Sequence, residues 1–197
     1  MLKEFIDGQR ASTPPSNLNE YVQRMVSVFD SCVDFLRDNQ RFPNREINQV
    51  VTLMWRLIAN KEIPVVLDQW GFPAMTFAVL GKDIEQIPIF IMPGDFITQV
   101  SEDPVFQLGL IAYMASQARD FYTGRITSRS SNKVNRRARG YEAEALLTLQ
   151  EMAREEGVDL NFHDFQLEIL TENPQGLTSL PKGYVYQTPV YTRPIRG

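Results

Sequence analysis

The side chains able to do covalent or metal chemistry are few and far apart: His163 is the single histidine and Cys32 the single cysteine of 197 residues. Zinc needs three protein ligands, and one imidazole with no thiolate near it in sequence does not supply them. Nucleophilic catalysis of the Ser–His or Cys–His kind needs Cys32 or a serine brought against His163 by folding. The carboxylate pairs are no better placed. Glu142 and Glu144 are two apart and point to different sides of a helix, while Glu155 and Glu156 read as a solvated helix end. One cluster does stand out: Arg125, Arg129, Lys133, Arg136, Arg137 and Arg139 are six cations within fifteen residues that contain no acid, in a chain whose net charge is -4. The chemistry such a cluster supports is electrostatic contact with phosphates or with an acidic protein surface. No Gly-rich phosphate loop is present, since Gly71, Gly81 and Gly94 are too widely spaced. We therefore expect no catalytic, metal or cofactor-binding residues, no cofactor, and no enzymatic activity.

These residues have to be positioned by a mainly helical α+β fold. With 43% hydrophobic and 22% charged residues the chain has the composition of a packed domain. The lone cysteine fits a reducing compartment, so synthesis and folding in cytosol are expected. No stretch approaches the ~18 apolar residues of a membrane span, and no membrane contact is expected. Residues 1–17 end in Ser12-Thr13-Pro14-Pro15-Ser16, a breaker cluster that predicts an N-terminal arm. A single domain follows over 18–172. Val22, Met25, Val26, Phe29, Cys32, Val33 and Leu36 recur at helical spacing and predict a first helix over about 18–39, with Asn17 or Asn19 as N-cap. Cys32 lies inside that stripe, as a buried core residue does. Asn44 caps a second helix over 44–60, striped by Ile47, Val50, Val51, Met54, Leu57 and Ile58, and the two should pack as an αα-hairpin.

From 63 to 99 the pattern becomes short β-branched and aromatic runs, Ile63–Trp70, Ala74–Leu80 and Ile87–Met92, which predict a small antiparallel sheet with prolines at its edges and strand ends. A third helix, 102–122, capped by Ser101, is apolar on nearly every face and so central and buried. A fourth, 133–156, is amphipathic through Val134, Ala138, Tyr141, Ala145, Leu149 and Met152, with Gly157 as its left-handed terminator. Its charges run against the helix dipole, basic at the amino end and acidic at the carboxyl end, an arrangement eased by an anionic partner or by local Arg–Glu pairs. Gln166–Leu170 reads as a short strand. Residues 173–197, with four prolines and Tyr184, Val185, Tyr186, Val190 and Tyr191, read as an extended tail that docks on its own domain or on a neighbouring subunit.

Two resemblances follow from this layout. A buried helix followed by one carrying Tyr141-Glu142-Ala143-Glu144-Ala145 looks like the frame of zinc metallopeptidases, but Ala112-Tyr113-Met114-Ala115-Ser116-Gln117 stands where their His-Glu-x-x-His would be. That makes a catalytically inactive metallopeptidase-like domain an alternative, beside a monomeric protein-binding module. The second resemblance lies in Ile111-Ala-Tyr-Met-Ala-Ser-Gln-Ala-Arg-Asp-Phe121 and in Tyr141-Glu-Ala-Glu-Ala-Leu-Leu-Thr-Leu-Gln-Glu-Met-Ala153 with Val158-Asp-Leu-Asn-Phe162. Over residues 104–162 the chain resembles the head-to-tail adaptor of short-tailed bacteriophages, also called tail tubular protein A. The resemblance implies a structural virion protein, assembled in the host cytoplasm as a homo-oligomeric ring between portal and tail nozzle, with DNA in its lumen. On that reading Arg125, Arg129, Lys133, Arg136, Arg137 and Arg139 make electrostatic contact with DNA or with the next ring, and Tyr184, Tyr186 and Tyr191 dock the tail.

Overall fold

The computed structural model describes residues 1–11, 15–38, 40–81, 86–125 and 131–179, the side chains of 131–133 and 178–179 excepted. Seven α-helices and three strands are found among them: α1 (Leu2–Arg10), α2 (Leu18–Arg37), α3 (Arg45–Ala59), β1 (Val65–Leu67), β2 (Thr76–Leu80), β3 (Ile87–Met92), α4 (Phe96–Glu102), α5 (Pro104–Tyr122), α6 (Ser131–Glu156) and α7 (Asp164–Glu172), then a 3₁₀ turn at Gly176–Ser179. No helix among the described residues is long and apolar enough to cross a membrane.

The α2/α3 hairpin is as expected. Asn17 accepts from the Glu20 amide, and Asn44 from those of Glu46 and Ile47. Each removes orphan donors that a helix start otherwise leaves bare. Met25, Phe29, Cys32, Val33 and Leu36 of α2, and Ile47, Val50, Val51, Met54 and Leu57 of α3, are buried, whereas Val26 is exposed. At the centre runs α5, buried on most of its circumference, with the α6 backbone close against it. Gly109 permits that approach: a Cβ there would stand 3.1 Å from Leu146 Cδ2.

Four expectations are corrected. The sheet is mixed, in the order β1-β3-β2: β2 is antiparallel to β3, but β1 is parallel to it, pairing Val65–Leu67 with Phe90–Met92. Pro88 therefore sits on the central strand, in the part that β1 does not reach, where its missing N–H costs no ladder bond on that side. Asp103, not Ser101, caps α5 by accepting from the Phe106 amide at 2.9 Å, and Ser101 belongs to the short helix α4. Gln166–Leu170 lies in α7, whose start is closed by the His163 amide donating to Gln166 Oε1 at 2.8 Å, with Gln166 and Ile169 facing inward at helical spacing. The fourth correction concerns the N-terminal arm expected over 1–17: its Leu2–Arg10 form α1, with Leu2, Phe5 and Ile6 buried in the common core.

The docking of α1 also explains the acidic end of α6. Glu156 accepts from the Met1 amine at 3.0 Å and from the backbone amides of Leu2 at 2.9 Å and Lys3 at 3.0 Å. A carboxylate unfavourable at the end of its own helix is thus placed at the positive end of another. Partial burial opposes its ionisation, but the Leu2 and Lys3 amides and the Met1 amine together hold its pKa below the ordinary 4.5. A depressed carboxylate contributes stability that is full above the unfolded pKa and lost as pH falls through the folded one. Glu156→Gln is expected to cost about 1 kcal/mol at neutral pH, on the scale of a lost helix cap. In urea titrations the difference between wild type and Glu156→Gln should shrink below pH 4.5; a pH-independent difference would contradict this role.

Candidate functional site

The basic segment is divided by the fold into an inward and an outward part. Asp120, fully buried near the end of α5, is its focus. Arg137 Nε donates to Asp120 Oδ2 at 2.8 Å, Arg119 Nη2 to Oδ1 at 3.2 Å, and Arg125 Nη1 lies 3.9 Å from Oδ1. Arg119, itself completely buried, also donates to Tyr141 Oη at 2.6 Å and stacks 4.9 Å from the centre of that ring. Arg139 pairs with Glu142 and lies 4.4 Å from the Tyr113 ring and 4.8 Å from the Phe165 ring. Arg137, Arg125 and Arg139 are therefore engaged within the chain, whereas Arg136 is exposed. Lys133 lies on α6 with its side chain outside the described residues, as are Arg129, Tyr184, Tyr186 and Tyr191. The helix also begins at Ser131, which puts Arg136, Arg137 and Arg139 beyond the first turn, where the dipole acts most strongly.

No family model, curated protein or solved structure matches this chain.

The remaining candidates for chemistry have structural surroundings. Cys32 is fully buried, and burial pushes its thiol up to about 12, so it is protonated at neutral pH. His163 Nε2 stands 2.9 Å from Asp103 Oδ2, tying the start of α7 to the cap of α5. Glu142 is almost wholly buried; desolvation raises its pKa against the pull of Arg139. Glu144 faces elsewhere and accepts from Asn44 Nδ2 and from the Leu177 amide, joining α3 and the 3₁₀ turn to α6. Ala112, Met114, Ala115 and Ser116 are packed in the core. Among the described residues no group of three or more His, Cys, Asp and Glu side chains could hold a metal ion.

A second candidate surface was not singled out by sequence. Asp68 receives the Trp70 amide on Oδ1 and the Phe72 amide on Oδ2, each at 2.7 Å, and its own amide donates to Met92 O at 2.8 Å. Gly71, at φ +79, supplies the left-handed step between them. The loop so fixed holds Trp70, 61% exposed, edge-on to Phe72 at 6.5 Å. Val65 and Leu67 of the adjoining edge strand are exposed too. At the opposite end of the sheet the cross-strand pair Leu80 and Ile87 forms a further exposed apolar patch. The Asp-x-x-Gly-x step from Asp68 is the sequence signal for the loop, but exposure of its aromatics depends on the tertiary fold.

Proposed function

We propose that this chain is a structural virion protein, the ring-forming head-to-tail adaptor subunit of a short-tailed bacteriophage, joining portal to tail nozzle. The observation that carries the reading is the pair of different apolar patches at opposite ends of one small sheet. They are separated by the length of β3, roughly 20 Å at about 3.3 Å per residue. A cyclic ring uses a head-to-tail interface, so each subunit needs two unlike surfaces, one for each neighbour. The aromatic loop is held before binding, which lowers the ordering cost of association. Arg136 remains as an outward cation for DNA phosphates in the lumen or for an acidic face of the next ring.

Two sets of variants test this. Trp70→Ser and Ile87→Ser should each reduce the assembled mass while leaving the midpoint of urea unfolding of the dissociated subunit close to wild type. Arg136→Glu should weaken capture of portal or DNA without loss of stability, whereas Arg137→Glu should unfold the chain, because it puts an acid against buried Asp120. Unchanged assembly in both Trp70→Ser and Ile87→Ser would remove the two-patch argument.

A further inference from the structure

A separate feature lies between α1 and α2: an open cavity of about 390 Å³ whose wall is mostly polar. Its lining is rich in donors. Arg24, Ser27 and Ser31 come from α2, Gln9 from α1, and Arg41 from the turn after α2. Gln9 Nε2 donates to Ser31 Oγ at 3.0 Å, which fixes that hydroxyl within the wall. Arg24 Nε is shielded from solvent and has no hydrogen-bond partner among the described residues. A buried guanidinium N–H without an acceptor costs free energy, and native structures rarely leave one so. Arg41 is held only loosely, its Nε 3.9 Å from Asp38 Oδ2. The acid lining the cavity is Glu4, whose carboxylate lies 3.5 Å from the Met1 amine and so already has a cation beside it.

We infer that this cavity binds a small oxyanion, a phosphate or carboxylate group carried on a small molecule, with the Arg24 and Arg41 guanidinium groups as its charged donors and the Ser27 and Ser31 hydroxyls as neutral ones. Two guanidinium groups and two hydroxyls line one space large enough for a small ligand, and one of those guanidinium groups has an N–H without an acceptor among the described residues. Charge-assisted hydrogen bonds from guanidinium to oxyanion are among the stronger polar contacts, and the arginine fork suits both anions. The site lies on the N-terminal helices and does not depend on the ring assignment.

Isothermal titration calorimetry of the full chain with inorganic phosphate and, separately, with citrate tests this and distinguishes the two sources of oxyanion. Saturable one-site binding of at least one anion is expected. Arg24→Gln and Arg41→Gln should each weaken it roughly tenfold or more, and Arg136→Gln, which removes an exposed cation elsewhere, should leave it unchanged. Arg24→Lys, which keeps the charge but loses the fork, should fall between and shows by its circular dichroism and melting temperature that the helices remain folded. Absence of saturable binding of either anion at millimolar concentration would overturn the inference, as would equal affinity in wild type and Arg24→Gln.

Discussion

Asp120→Asn is expected to destabilise the protein by about 3–5 kcal/mol, the cost of breaking a buried ion pair from one side. The carboxylate is fully buried and lies against Arg119 and Arg137, themselves almost without solvent. Replacing it with a neutral amide of the same shape leaves the packing intact and the guanidinium charges uncompensated. The Arg125 amide, which donates to Asp120 O at 2.8 Å, keeps its acceptor, so the loss falls on the side-chain network. Pairing Asp120→Asn with Arg137→Met removes one of those charges, and the double variant should be more stable than the sum of the two single losses predicts. Urea unfolding of the four proteins gives the coupling; strict additivity would mean that Arg137 and Asp120 do not depend on each other.

The second large effect is expected at Phe35→Ala. Phe35 has no exposed surface and lies 4.6 Å, ring centre to ring centre, from Phe5 of α1 and 6.4 Å from Phe42. Truncating a buried phenylalanine costs about 3–5 kcal/mol, as lost transfer energy plus the cavity left behind. Here the loss should be local first, because α1 is held by this aromatic row and by Glu156 at its start. Hydrogen exchange should quicken over Leu2–Arg10 before it does over α5. Uniform quickening would show that α1 is not a separately released element.

What the residues disclose about this fold follows from the range of the interactions that form it. Asn44 and Gly157 are readable as helix boundaries, and the first helix start narrows to Asn17 or Asn19, because a cap uses amides within three residues, or a left-handed φ at one; Asn17 is the cap and Gly157 sits at φ +65. The stripes of α2 and α3 and the nearly uniform burial of α5 were readable for the same reason: periodicity alone fixes which side faces the core. By contrast, α1 is stapled by Glu156, 154 residues from Leu2, and the breaker cluster after it is the louder local signal. The parallel pairing of β1 with β3 depends on a crossover that no turn chemistry announces.

The charge order of α6 was a true signal with only part of its answer in view. Its basic end is compensated in large part within the chain by Asp120 and Glu142, and its acidic end caps α1. Asp120 stands on α5 and the amides that Glu156 accepts belong to α1, so a reading of α6 by itself could show the imbalance and not this part of its resolution. The same holds for Trp70. An aromatic in a strand-rich segment is usually core, and its exposure follows from Asp68 turning the loop outward.

The central claim, a ring-forming adaptor, is tested most directly by size-exclusion chromatography with multi-angle light scattering, on the chain alone and mixed with a candidate portal protein. The account predicts a closed oligomer of many subunits, formed alone or on the portal, with a defined mass. A chain that stays at its monomer mass of 22.6 kDa in both samples would contradict it.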